Sequence, residues 1–176
     1  MSSKGSVKTE MKDSKVFDLF LHELKDIYWA ETHLADKLPK MSEKATSKKL
    51  VKAINDHKKE TDNQIKRLEK IFKSLDEEAK GITCEAMKGL LKEAEDILDD
   101  TESDSMVRDA GIIIAAQKVE HYEIASYGAL ANLAKTIGSS EAANLLEETL
   151  EEEKKADATL TEIAEEEVNK KAKKEH

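Results

Sequence analysis

The chain has 176 residues, of which 38% are charged and only 4% aromatic, and its formal net charge at pH 7 is −9. One proline and six glycines, in a sequence rich in alanine, glutamate, lysine and leucine, favour long helices over sheet. The acidic balance speaks against sequence-independent binding of nucleic acid, which needs a basic surface. No apolar run reaches the roughly 18 residues that a membrane-spanning helix needs.

The chain is long enough for one domain with a sizeable core. Residues 1–14 are small, polar and charged, and predict a loose arm before a single domain at 15–170, with a charged tail at 171–176. The first residues contain no apolar stretch of the kind found in secretory signals. The single cysteine, Cys84, excludes an internal disulfide, and we therefore expect a cytoplasmic protein.

Two long helices are predicted in the first part of the domain. From Lys15 onward, apolar residues recur every three or four positions, which indicates an amphipathic helix. We expect Pro39 to kink this helix or to end it early. A second helix is predicted from a cap at Ser47 to about Ser74.

The following segment is predicted to contain a loop and a shorter helix. Residues 75–82 have the composition of a loop, and Thr83 is the candidate cap of a helix at 84–99. About 30 residues therefore separate the second long helix from the next one. A connection of that length can cross the whole length of a helical bundle.

Two further long helices complete the predicted domain. The third spans roughly 105–136 and ends at Gly138, and the fourth is capped by Ser139 and spans 140–170. The links within the first and second pairs of long helices are short, so each pair is expected to form an antiparallel hairpin. The predicted fold is all-α: a ferritin-like antiparallel four-helix bundle with one long crossover that carries a short extra helix.

Each long helix carries an apolar stripe that acidic or imidazole side chains interrupt near its middle. Residues three or four apart lie on one helix face, so the interrupting side chains point in the same direction as the core residues. On the first helix, Glu31 is the only charged residue of the stripe. The interruptions in chain order are Glu31, His57, Glu60, Glu120, Glu123, Glu153 and Asp157.

In a bundle these seven side chains would converge, and without a counter-charge their burial would be very unfavourable. Six buried carboxylates repel one another and would have to take up protons or disrupt the core. A pair of metal ions would offset most or all of this charge. Hard oxygen donors with one imidazole suit iron or manganese better than zinc. Taken singly, each glutamate has an ordinary interpretation as a solvated surface residue, and His57 as a core or surface histidine; the metal hypothesis depends on all four helices being interrupted at compatible heights.

The same residues carry a resemblance to a known family. The chain resembles the YciE/YciF-type ferritin-like proteins, small bacterial proteins associated with stress responses, over roughly residues 16–165. The third-helix segment is the most specific of the matching stretches. These stretches are ELKDIYWAE (23–31), HKKET (57–61), CEAMKGL (84–90), AAQKVEHYEIASYG (115–128) and LEEEKKAD (150–157).

The resemblance implies an antiparallel four-helix bundle, a dinuclear metal centre and a homodimer. Superfamily architecture implies Glu60 and Glu123 as bridging ligands and Glu31 and Glu153 as terminal ones, with His57 on one metal and Asp157 completing the set. This chain departs from the superfamily pattern of Glu-x-x-His on the second and fourth helices. Its second helix has the reverse order, and its fourth has no histidine, so the predicted centre is richer in oxygen ligands.

Other residues near the stripes have weaker functional interpretations. Gln117 is placed to hydrogen-bond a ligand carboxylate or simply to satisfy a core contact, and His121 is expected to act between helices rather than as a ligand. Tyr28 has a redox role or a packing role as alternatives. Cys84 is expected to be a packing residue, and Trp29 to mark a contact between subunits.

Two functional hypotheses follow. The first is a ferritin-like protein with two metal ions, iron before manganese, that reacts with dioxygen or peroxide during stress, as an oxidoreductase of peroxidase or ferroxidase type. The second is a non-enzymatic bundle in which the metal is structural or the surface binds a partner protein. Neither hypothesis involves nucleic acid or a membrane.

Overall fold

The computed structural model describes residues 12–175 and is all-helical over this range. Residues 1–11 of the predicted arm, and His176 of the predicted tail, lie outside the described residues. The helices are α1 (Lys15–Lys44), α2 (Lys48–Ser74), α3 (Glu85–Asp100), α4 (Met106–Thr136) and α5 (Ser140–Ile163), followed by a π-helical segment (Ala164–Val168) and the short α6 (Asn169–Ala172). Within its predicted range of 140–170, the fourth long helix is therefore continuous α-helix only as far as Ile163.

The four long helices form an antiparallel bundle, as the sequence predicts. Helix α1 packs on α2 and α4, and α5 packs on α2 and α4, so each long helix has two long neighbours. The crossover at 75–105 joins the end of α2 to the start of α4 and carries α3, which packs against α4 and α1. The buried faces of the four helices enclose a single core.

Helix α1 continues past its proline, so the expectation that Pro39 ends it early is wrong. Pro39 lies inside the helix, which extends to Lys44. Proline removes one backbone hydrogen bond and crowds the preceding turn, at a cost of about 3 kcal/mol in a helix interior. Leu38 and Met41 are buried on either side of it. This tertiary packing stabilises the last turn of α1 despite the proline.

The short helix of the crossover begins one residue later than predicted. Its N-cap is Cys84, whose Sγ accepts a hydrogen bond from the backbone N–H of Met87, and not Thr83. The hydroxyls of Ser47 and Ser105 cap α2 and α4 in the ordinary way. Ser139 occupies the N-cap position of α5 without a side-chain hydrogen bond.

The two short turns of the bundle are held by specific backbone contacts. Asp109 at the start of α4 accepts hydrogen bonds from the backbone N–H groups of Thr46 (2.8 Å) and Ser47 (2.6 Å). This contact places the N-termini of α2 and α4 at the same end of the bundle. At the other short turn, Gly138 has φ +78°, and the N–H of Ser139 bonds the carbonyl of Ala134 at 2.8 Å. Glycine suits this position because it enters the left-handed region without a steric cost.

The core is apolar at both ends of the bundle and polar near its middle. Residues such as Phe20, Leu24, Leu50 and Leu130 are fully or almost fully buried. The polar middle comes from the interruptions of the apolar stripes described above. No helix within residues 12–175 combines the length and the apolar character that a membrane span requires.

Candidate metal centre

Three helices bring four ligand-type side chains together in the middle of the bundle. Each of them offers one ligand atom, and these atoms all lie within 4.8 Å of one another. The Nε2 atom of His57 lies 3.3 Å from Oε1 of Glu120 and 4.0 Å from Oε2 of Glu153. We refer to His57 (α2), Glu120 and Glu123 (α4) and Glu153 (α5) as the central cluster.

The central cluster is buried, and most of its polar atoms have no hydrogen-bond partner. Glu123 and Glu153 are fully buried, Glu120 is 2% exposed and His57 is 7% exposed. Within residues 12–175, both ring nitrogens of His57, Oε2 of Glu120 and both carboxylate oxygens of Glu123 and Glu153 lack a hydrogen-bond partner. Buried polar atoms in native proteins are normally satisfied, so this arrangement fits a ligand that accepts lone pairs.

Glu31 of α1 extends the cluster on the side of the first helix. It is fully buried, and one of its oxygens accepts a hydrogen bond from the hydroxyl of Tyr127 on α4. Its other oxygen, Oε2, has no partner among the described residues. Each of the four long helices therefore contributes at least one buried acidic or imidazole group to the middle of the bundle.

The carboxyl groups of the cluster have strongly raised pKa values. Burial raises the pKa of Glu31 to about 8, with a further contribution from the negative charge of Glu153. Burial also raises the pKa of Glu120, and burial together with the neighbouring carboxylates raises those of Glu123 and Glu153 well above the ordinary value. Burial therefore favours the protonated form of these groups when no metal is bound.

The same surroundings also raise the pKa of His57, but for a different reason. Burial alone would lower its pKa, but the negative charges of Glu120 and its acidic neighbours raise it to about 10. The metal-free cluster therefore contains an imidazolium among partly protonated carboxyl groups. A cation at this site would have to displace these protons, because metal ligands bind as neutral imidazole and as carboxylate.

Two of the residues predicted as ligands lie beside the central cluster. Glu60 is half-buried, and its Oε2 is 3.7 Å from Nδ1 of His57 on the outer side of the ring. Asp157 is also half-buried, and its Oδ1 accepts a hydrogen bond from Gln117 at 3.0 Å and lies 3.4 Å from Nε2 of His121. Gln117 therefore bonds a carboxylate that the sequence predicts as a ligand, and His121 contacts a helix other than its own.

The remaining singled-out residues have contacts of other kinds. Tyr28 packs edge-on against Phe72, and its hydroxyl bonds Glu69 at 3.2 Å. Trp29 stacks on His33, with ring centroids 3.6 Å apart. Burial raises the pKa of the Cys84 thiol, so this cysteine is a buried capping residue and not an activated nucleophile.

Two tyrosines of α4 make hydrogen bonds whose partners the sequence did not predict. Tyr127 bonds Glu31, and its position four residues after Glu123 is the sequence signal that places it on the same helix face as the site. The hydroxyl of Tyr122 donates to Asp26 at 2.7 Å and lies 3.1 Å from the sulfur of Cys84. These pairs join helices far apart in sequence, which periodicity alone does not reveal.

The donor set fits a hard or borderline cation. It combines carboxylate oxygens with one imidazole and no thiolate, which is the ligand chemistry of iron and manganese in helical bundles. The unpartnered oxygens and nitrogens supply the lone pairs that such a cation needs. The buried His/Glu group could therefore hold a metal ion.

Comparison with known proteins gives a matching family model and a similar bacterial protein. A family model described as "Domain of unknown function (DUF892)" matches residues 15–173. Protein YciF of Escherichia coli K12 is 47% identical over 163 residues, which cover 92% of this chain and 98% of that protein.

Two solved structures share both fold and sequence with the chain. The crystal structure of the E. coli stress protein YciF superposes with a TM-score of 0.85 at 46% identity, and covers 90% of this chain and 99% of its own. YcfI of Rhodopseudomonas palustris superposes with a TM-score of 0.81 at 41% identity, and covers 84% of this chain and 94% of its own. The chain belongs to the DUF892 family and is a homologue of the stress protein YciF.

Proposed function

We propose that the protein is a ferritin-like stress protein that binds two metal ions in the middle of its bundle, iron in first place and manganese in second. The observation that carries this proposal is the set of buried, unpartnered ligand atoms on His57, Glu120, Glu123, Glu153 and Glu31. Two divalent cations would offset four negative charges, which accounts for so many carboxyl groups in one core. Glu60 and Asp157 complete the proposed ligand set from the outer side.

The proposed activity is redox chemistry with peroxide or dioxygen. Bound iron or manganese would supply electron transfer and Lewis acidity. The residues of the chain hold the site: Glu123 and Glu153 provide fully buried carboxylates, and His57 provides the single nitrogen ligand. Tyr127 orients the Glu31 carboxyl by its hydrogen bond. The low exposure of these side chains limits the contact of the reacting centre with bulk water.

A second candidate function is non-enzymatic. The relative from Rhodopseudomonas palustris is described as a candidate structural protein. In this alternative the metal stabilises the bundle without turnover. Metal bound in stoichiometric amount, with no consumption of peroxide or oxygen above the level of free metal, would favour it.

The first experiment measures metal content and turnover together. Protein purified without chelators is analysed for all transition metals by mass spectrometry, and the same samples are assayed for peroxide and oxygen consumption. The double variant Glu120→Gln/Glu123→Gln should reduce metal content nearly to zero, because both carboxylates lie in the central cluster. The matched control is Glu162→Gln/Glu165→Gln, an exposed pair at the same spacing on α5 and the π-helical segment.

The outcomes separate the alternatives. Full metal content in the Glu120/Glu123 double variant would reject the proposed site, and loss of metal in the control variant would show that the assay reports general damage. We further propose a homodimer in the cytoplasm. Sedimentation equilibrium tests the dimer, which a monomer at micromolar concentration would contradict.

A further inference from the structure

A large cavity lies inside the bundle next to the central cluster. Its volume is about 430 Å³, within the range of cavities that bind small ligands. Its floor is made by apolar side chains of α1 and α3, including Leu34, Leu38, Met41 and Leu91. The cavity opens to solvent and its lining is mostly apolar, as in sites that bind small apolar ligands.

The inner wall of the cavity includes part of the candidate metal centre. His57 and Glu120 are lining residues, and Val119 and Ala115 extend the wall along α4. A molecule in the cavity would therefore lie against the side of the central cluster that His57 and Glu120 form. The apolar lining around them suits hydrocarbon rather than a sugar or a nucleotide.

The mouth of the cavity lies between α2 and α5 and carries three lysines beside two acidic residues, Asp56 and Glu60. Lys49, Lys52 and Lys155 are exposed lining residues. The ammonium groups of Lys49 and Lys52 pair with Glu166 (2.9 Å) and with Asp56, respectively. Within residues 12–175, Lys155 makes no side-chain hydrogen bond or salt bridge. Its charge acts on Glu60, whose Oε2 lies 3.7 Å from the His57 ring, so the ammonium group has no short-range partner and can contact an anion at the mouth.

We propose that this cavity binds a straight-chain alkyl carboxylate, a ligand of the fatty-acid class. The hydrocarbon chain occupies the apolar interior and passes beside His57 and Glu120, and the carboxylate binds at Lys155. Burial of the chain supplies the affinity, and the ammonium group of Lys155 favours an anionic head group over a cationic or neutral one. This inference concerns the cavity and does not require a metal ion at the centre.

Calorimetric titration of metal-free protein with dodecanoate, kept below its micelle concentration, tests the proposal. One molecule should bind per chain, at least about tenfold more tightly than dodecylamine or 1-dodecanol, as expected for one favourable charge contact. Lys155→Glu should weaken dodecanoate binding by about tenfold or more. The matched control is Lys154→Glu, whose side chain is exposed and pairs with Glu151 outside the cavity.

A second pair of variants tests the interior. Ala156 lines the mouth and is half-buried, so Ala156→Phe should obstruct the cavity and abolish binding, whereas Ala125→Phe on an exposed part of α4 should not. Circular dichroism checks that each variant is folded, and the lysine pair decides the test if Ala156→Phe is not. Absence of binding by the folded wild-type protein, equal affinity for the amine, or equal effects of the two lysine variants would overturn the proposal. Because metal content is measured separately, failure here leaves the proposed metal centre untouched.

Discussion

At the residue scale, the contact between Tyr127 and Glu31 has the most direct chemical consequence. Glu31 is buried with a pKa raised to about 8, and the hydrogen bond from the Tyr127 hydroxyl acts against that rise, because it stabilises the carboxylate. The hydroxyl therefore favours the form of Glu31 that could bind a cation. Tyr127 itself is fully buried, so no water is at hand to replace its hydroxyl.

We predict that Tyr127→Phe raises the pKa of Glu31 and weakens metal binding at neutral pH. Loss of one hydrogen bond to a buried carboxylate should shift the pH of half-maximal metal uptake upward by about 1 unit. The measurement is metal affinity between pH 6 and pH 9. Tyr28→Phe is the matched control, because the Tyr28 hydroxyl bonds the exposed Glu69 and should leave the profile unchanged. An unshifted profile in Tyr127→Phe would exclude Glu31 from the site.

At the scale of elements, the crossover is held against α1 by a close backbone approach at Gly81. A Cβ atom added at Gly81 would lie 2.8 Å from Cβ and 3.1 Å from Cα of Trp29. The next residue, Ile82, donates its N–H to the carbonyl of Lys25 at 3.2 Å. The loop before α3 therefore packs directly on the backbone of α1, and only glycine fits there without displacement.

Gly81→Ala should accordingly destabilise the protein by about 1–3 kcal/mol, the usual cost of overpacking against atoms that cannot move away. Gly89→Ala is the control: a Cβ at Gly89 meets nothing within 4 Å, and alanine in a helix interior should stabilise by about 0.5–1 kcal/mol. Urea denaturation of both variants measures the two free energies of unfolding. Equal values for Gly81→Ala and the wild type would show that the loop is not packed as described.

At the scale of the whole molecule, the buried cluster couples metal, protons and stability. With the pKa of Glu31 raised to about 8, the native metal-free protein binds a proton that the unfolded chain has already released. The pKa of His57, raised to about 10, acts with the same sign, because the native state keeps a proton that unfolded histidine loses near pH 6.5. Glu31 makes the native state the more protonated one between about pH 5 and pH 8, and His57 does so between about pH 6.5 and pH 10.

We therefore predict that the metal-free protein loses stability as pH rises from 6 to 9. The free energy of unfolding falls with pH wherever the native state binds more protons than the unfolded state. Thermal melting at several pH values with a chelator present measures this loss of stability. The same measurements on metal-loaded protein are the control. Metal ligation replaces the protons and should flatten the dependence of the melting temperature on pH. Surface carboxylates such as Asp56, whose pKa its lysine partners lower to about 2, affect stability only in strong acid. A melting temperature that rises with pH in the metal-free protein would contradict a buried cluster.

Much of the fold could be predicted from the sequence because local periodicity carries it. Apolar residues three and four apart define four long helices, short links make two hairpins, and a crossover of about 30 residues allows the ferritin-like connection. Details at single residues could not be predicted from this periodicity. Pro39 stays within α1 because buried neighbours offset its local cost, and Cys84 rather than Thr83 caps α3. Both outcomes depend on tertiary packing and on the local path of the backbone.

By itself, the sequence determined which helix faces carry the acidic and imidazole residues, since a 3.6-residue period assigns each side chain to a face. Only the tertiary structure decided which of them meet. His57 and Glu60, or Glu153 and Asp157, differ by 40–60° around their helix axes, and packing of the whole apolar stripe sets the rotation of each helix. That rotation brings His57 and Glu153 into the central cluster, and leaves Glu60 and Asp157 half-buried beside it. The cavity with Lys155 at its mouth likewise arises from the space between five helices, which no single stretch of sequence encodes.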